Sequence, residues 1–274
     1  MHGLFPLEAA MLSQLLRRLV GGASVPTLLH LTHPKAGSSW IAAVLQELFG
    51  DKLAPRGRRV AEASGGELDR HVFVPGRVYP AMFMTRGEVL AHPELDGCKR
   101  FVVIRDLRDT MVSLFYSLKL AGAPELDGLA TDLSNLIHSD DEEAGLLQVL
   151  DTRMAQIAEI QTSWFKQGEI VLRYESLLQN SVAVLREAFI RRLGLPISEN
   201  ELIRAINSAP GERGAHAARS RGRKGGPVNW QNHFTPKIRK RFAEKFGEVL
   251  IDAGYEGDLA WAQEPVSTRL RAGL

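Results

Sequence analysis

Cysteine is nearly absent from this chain: Cys98 stands alone among 274 residues, so no disulfide can form within it. That suits a reducing compartment and gives the cytoplasm as the expected location. Long apolar runs are missing too, since none approaches the roughly 20 residues that span a bilayer. Met1 to Gly22 has no basic stretch ahead of an apolar core, so no secretory signal is expected. Its Leu12, Leu15, Leu16 and Leu19 mark a short amphipathic helix beside Arg17 and Arg18, read as a packing helix and not as a membrane anchor. No internal repeat is present. What remains is ordinary for a globular protein, 45% hydrophobic and 24% charged, and long enough for one large domain with a full core.

A strong net charge is also lacking, the balance being +2, but the charges are unevenly placed. Residues 213–245 gather Arg213, Arg219, Arg221, Arg223, Lys224, Lys237, Arg239, Lys240, Arg241 and Lys245 against Glu244. Such a cluster implies an anionic ligand or partner. Residues 125–143 are acidic and read as a solvated loop. The Gly-rich stretch 211–226 is too polar for a core, and is expected to be ordered by a ligand.

Short apolar segments at 27–32, 79–84, 101–105 and 169–173 predict strands. Helical spacing follows at 38–49, 107–120, 146–167, 181–193, 199–208 and 236–252. This alternation predicts an α/β fold, a single domain with a central parallel sheet flanked by helices. Ser198-Glu199-Asn200-Glu201 is a capping box, Asn180 caps the helix that follows it, and Gly194 ends that helix.

Thr32-His33-Pro34-Lys35-Ala36-Gly37-Ser38-Ser39-Trp40 joins the first strand to the first helix. A strand, a Gly-containing turn and a helix start aim backbone N–H groups at one point, which makes an anion site. Lys35 adds a charge there, and Ser38 and Ser39 add hydroxyls. The turn is P-loop-like but is not the nucleoside-triphosphatase loop G-x-x-x-x-G-K-[ST], because its lysine precedes its only glycine.

The order Pro-Lys-Ala-Gly-Ser-Ser-Trp resembles instead the 5′-phosphosulfate loop of sulfotransferases that use 3′-phosphoadenosine 5′-phosphosulfate (PAPS). Three further segments are similar to that family's and come in its order. Phe101 to Ser113 resembles its 3′-phosphate segment, a buried strand ending in arginine with a serine eight residues on. Val171 to Leu178 resembles its third strand, whose tyrosine lies beside the nucleotide. Arg223-Lys224-Gly225, with Asn229-Trp230 and Phe234-Thr235-Pro236, resembles the loop that closes over the 3′-phosphate. The resemblance covers 27–256, leaving 1–26 as a helical extension and 257–274 as a tail.

It implies a transferase that moves a sulfonate group from PAPS to a hydroxyl or amine of a small-molecule or glycan acceptor. No metal is expected, nor nucleic acid as a partner, and a homodimer is compatible with it. Lys35 is the catalytic candidate, facing the departing phosphate. Ala36, Gly37, Ser38, Ser39 and Trp40 join it around the 5′-phosphate. Arg105, Ser113, Tyr174, Arg223, Lys224 and Gly225 are the remaining nucleotide-binding candidates. Tyr174 reads equally as core, and Trp230 reads first as a packing anchor. The family's Lys-Thr-His element, whose histidine deprotonates the acceptor, is replaced here by Met82 to Glu88, with an arginine, Arg86, that is a poor base. His33, His71 and Glu88 stay open for that role. The rival reading is a non-catalytic nucleotide- or nucleic-acid-binding protein that uses the same turn and the basic 213–245 segment.

Overall fold

The computed structural model describes residues 26–54, 73–121, 141–210 and 229–263. Four strands, β1 (Leu28–Thr32), β2 (Val78–Met82), β3 (Lys99–Ile104) and β4 (Val171–Arg173), form one sheet in the order β2-β1-β3-β4. Every pairing is parallel. Parallel strands need crossovers, and the crossovers put helices on both faces, so β1 reads as an unbroken buried run.

Each strand sends alternate side chains to opposite cores. Leu28, Phe101 and Val103 face α1 (Ser38–Phe49), α6 (Tyr174–Leu185) and α7 (Glu199–Ser208). Leu29, Leu31, Val102 and Ile104 face the other way and pack with Trp164, Met84 and Val89. Val89 lies in a five-residue helix, α2 (Arg86–Leu90), which the sequence reading did not contain. A third cluster joins α3 (Leu107–Ala121), α4 (Glu142–Thr152), α5 (Met154–Ser163) and α8 (Pro236–Asp252) around Phe115, Phe234 and Phe242.

The expected caps are present. Ser198 and Glu201 close the capping box, and Asn180 Oδ1 accepts from Ala183 N at 3.0 Å. Gly194, at φ 55°, ends the helix. Two expectations need correction. The helix expected over 146–167 is two helices, broken where Arg153 leaves helical geometry (φ −120°, ψ −31°), and it starts earlier, at Asp141, whose side chain caps Ala144. The helix expected over 181–193 does begin after Asn180, where the backbone leaves helical geometry (φ −151°, ψ 75°) within the span of α6, but its last part, Arg186–Arg192, winds as a π-helix and not as an α-helix. The 1–26 extension lies outside the described residues but for its last residue, and so does most of the 257–274 tail.

Trp164 is fully buried and its indole N–H donates to the Met84 carbonyl at 3.0 Å. Trp164→Ala should cost about 3–5 kcal/mol in urea unfolding. Ser198→Ala, which removes one exposed cap, should cost only ~1 kcal/mol. Equal losses would show that the sheet face under Trp164 collapses to fill the space.

Candidate functional site

β1 pairs with β2 on one side and β3 on the other, so the chain reverses its direction of winding at β1. Ligands of open α/β sheets bind outside the carboxyl ends of the strands at such a point. Thr32 lies in register with Val103, so the loops after β1 and β3 leave the sheet side by side.

The first of these loops turns through two left-handed residues, Lys35 (φ 71°) and Gly37 (φ 80°), on either side of the buried Ala36. Gly37 is also the N-cap of α1, and being glycine it offers the helix no side chain. Its carbonyl accepts from Trp40 N and Ile41 N, each at 3.1 Å. The first turn of α1 carries no acidic residue. The result is a helix N-terminus with its dipole uncompensated, flanked by the half-buried Ser38, the exposed Ser39 and the half-buried Lys35 and Trp40.

Arg105 leaves β3 beside this loop and is 3% exposed. Its Nη1 donates to the Lys35 carbonyl at 2.8 Å. Its guanidinium lies 4.6 Å above the ring of Tyr174, the buried first residue of α6. Arg105 Nε has no protein partner and is shielded from solvent, as is the hydroxyl of Thr110 in the first turn of α3. Ser113 is half-buried further along α3. The structure thus brings Lys35, Arg105 and Tyr174 into one contact chain. Arg223, Lys224 and Gly225 lie outside the described residues.

Gln161, on α5, is the residue that sequence reasoning missed. Its Oε1 accepts from Arg105 N at 3.4 Å and sits 2.9 Å from His33 Nε2, while His33 Nδ1 is 2.9 Å from the Pro34 carbonyl. One buried amide therefore ties together both loops of the site. Its spacing from Ile157 and Ala158, four and three residues back, put it on the buried face of a helix, and a fully buried glutamine there was the available signal.

The open candidates for a base have other engagements. His33 is fully buried, and burial pulls its pKa down to about 4. A neutral imidazole also has one N–H for the two oxygens that face it. Glu88 Oε2 closes a capping box, accepting from Thr85 N at 2.6 Å and Thr85 Oγ1 at 2.8 Å. Arg86 pairs with Glu169 at 3.1 Å, and Arg100 pairs with the same carboxylate at 2.9 Å. His71 lies outside the described residues.

Trp230 serves as an anchor, as its packing reading implied. It is 8% exposed, with the Arg108 guanidinium 4.1 Å and the Arg239 guanidinium 5.2 Å from its ring centre. Arg108 also pairs with Asp106 at 2.7 Å and with Glu256. Trp230 N donates to Asp109 Oδ1 at 2.9 Å, and burial raises that carboxyl to about 6. Among the described residues no three His, Cys, Asp or Glu side chains come together to hold a metal, and no helix is long and apolar enough to cross a membrane.

This architecture is a sulfotransferase fold. It is similar to the mouse sulfotransferase SULT7A1 complexed with PAP, with a TM-score of 0.59 and 18% sequence identity over 87% of each chain. No family model and no curated protein matches the sequence.

His30, on β1, is likewise fully buried, and burial lowers its pKa to about 3. Unfolded imidazoles bind protons near pH 6.5, so the folded state loses stability as pH falls below that value, by up to about 1.4 kcal/mol per unit for each histidine. Asp109 acts in the opposite sense: its contribution is whole below the ordinary aspartate pKa and is lost as pH rises towards about 6. Urea midpoints should therefore fall between pH 7 and 4.5 in the native protein. The fall should be shallower in His33→Gln and steeper in Asp109→Asn. Identical slopes in all three would mean that neither group is held in the protonation state its burial dictates.

Proposed function

We propose that the protein is a sulfotransferase that moves a sulfonate group from PAPS to a hydroxyl or amine of a small-molecule or glycan acceptor. The observation that carries this reading is the uncapped turn at Lys35–Gly37, joined to Arg105 by a hydrogen bond from Nη1 to the Lys35 carbonyl. Two anion-binding elements stand together at the switch point of the sheet, as a ligand with two separate phosphates requires. The orphaned Arg105 Nε and Thr110 hydroxyl fit the same ligand, because buried donors normally have acceptors.

In this reading the amides of Gly37 to Trp40 and the hydroxyls of Ser38 and Ser39 hold the 5′-phosphate. Arg105 and Ser113 hold the 3′-phosphate, joined by Arg223, Lys224 and Gly225 from outside the described residues, and Tyr174 supports the Arg105 guanidinium. PAPS supplies an activated sulfonate. The S–O bond to the phosphate breaks with its electron pair leaving on phosphate, an S–O or S–N bond to the acceptor forms, and the acceptor proton departs. Lys35 neutralises charge on the departing phosphate, where a loose transfer concentrates it.

The rival, a nucleic-acid-binding protein, draws on the basic 213–245 segment. In α8, however, Arg241 and Lys245 pair with Asp151 at 3.0 and 2.7 Å, Lys237 pairs with Glu143 at 3.4 Å, and Arg239 is buried. Among the described residues of that segment four of the five cations are thus paired or buried, which favours the enzyme.

Lys35→Ala should lower turnover on the order of a hundredfold or more while the protein stays folded. Turnover within a few-fold of the native value would remove Lys35 from the chemistry. Arg105→Ala should weaken adenosine 3′,5′-bisphosphate binding by the ~1.5–3 kcal/mol of a charged contact, and weaken 5′-AMP binding less. Calorimetric titration with both ligands separates the cases: equal losses would mean that Arg105 acts only by holding the Lys35 loop.

A further inference from the structure

β1 and β2 do not pair evenly. Leu28 and Leu29 lie opposite Val78 and Tyr79, but Leu31 lies opposite Met82, so Pro80 and Ala81 together face His30. This is a β-bulge, and Ala81 sits in the left-handed region at φ 58°. Such a conformation is costly for a residue with a Cβ. A bulge shifts the strand by one residue and so reverses the faces of everything after it. Met82 and Met84 consequently join the core on the Leu31 side.

His30 holds the bulge in place. Its ring stacks on Phe101 of β3, with centroids 5.0 Å apart and planes within 5°. Its Nδ1 accepts from Ala81 N at 3.1 Å, in place of a strand carbonyl. Nδ1 therefore carries the lone pair and Nε2 the proton, and Nε2 is buried without a partner. A purely apolar residue would fill this space without an orphaned donor, so what the histidine specifically contributes is the bond to Ala81.

The bulge decides how the chain leaves β2. Since Met82 is the last residue in register, opposite Leu31, Phe83 is the first residue to leave β2, at the edge of the sheet that carries the candidate site, as Thr32, three residues before Lys35, follows Leu31 on β1. Phe83 is half-buried and belongs to none of the three core clusters. We propose that Phe83 forms an apolar wall for the acceptor, and that His30 is the positioning residue that aims it through the Ala81 bulge. The acceptor part rests on the sulfotransferase reading; the His30–Ala81 part does not.

The test uses the full chain with 2-naphthol as the acceptor probe. Phe83→Ala and His30→Phe should each raise the KM for 2-naphthol about tenfold, the scale of one apolar contact. The Kd for adenosine 3′,5′-bisphosphate should stay unchanged. His30→Asn, which keeps an acceptor near the Nδ1 position, should restore the KM. Ala81→Gly, which accepts the left-handed backbone unaided, should rescue His30→Phe, and the double variant carries the test if His30→Phe does not fold. Hydrogen exchange at the Ala81 amide should be slow in the native protein and in His30→Asn, and fast in His30→Phe. Slow exchange in His30→Phe overturns the role of His30. A native KM in Phe83→Ala, or no binding of 2-naphthol to the native bisphosphate complex, overturns that of Phe83. If the native protein binds no bisphosphate, the sulfotransferase reading falls, while the exchange data still decide the His30 assignment.

Discussion

Parallel pairing of β1 with β3 is the constraint on which the rest of the candidate site depends. It ends with Thr32 level with Val103, so the next residues of both strands emerge within reach of one another. Arg105 can then donate to the carbonyl of Lys35, and Gln161 can reach both loops from α5. None of these contacts is local in sequence; the first spans 70 residues and the last 128. A sheet with another strand order would keep every motif and lose the site.

Charge is handled differently in the two halves of the molecule. On the β1 side, cationic groups stand beside a helix start that has no acid in its first turn. Around α3 and α8 the cations are met by carboxylates or enclosed by rings: Arg108 lies between Trp230 and Trp261, 4.1 and 4.6 Å from their centres, with Asp106 and Glu256 on its edges. Enclosure of this kind fixes the Trp230 turn against α3, because breaking any part would leave a buried charge uncompensated. Among the described residues, Arg108 is therefore structural, while Arg105, beside the Lys35 turn, is the one the proposed function directs to a ligand; composition cannot separate the two.

Much of this was legible in the sequence. The strands needed only short apolar runs, and the turn at Lys35–Gly37 needed only its residue order. The Ser198 box and the Asn180 cap are local hydrogen bonds, and local bonds can be read from spacing. The break at Arg153 could not be read, because apolar residues continue in helical spacing across it. Gln161 and the His30–Ala81 bond escaped for a related reason: each joins segments whose proximity is created by the sheet. Nor was the pairing of Arg86 with Glu169 legible.

Lys35 sits in a backbone conformation that glycine or asparagine adopts far more readily. On the proposed sulfotransferase reading, folding and chemistry therefore make opposite demands on one position. Exchanging the lysine for glycine would relieve on the order of 1 kcal/mol of backbone strain while removing the charge from the turn. On that reading, selection for thermostability alone would act at this position against the proposed activity. In a stabilised variant obtained without an activity screen, residue 35 is a place to look for the lost function.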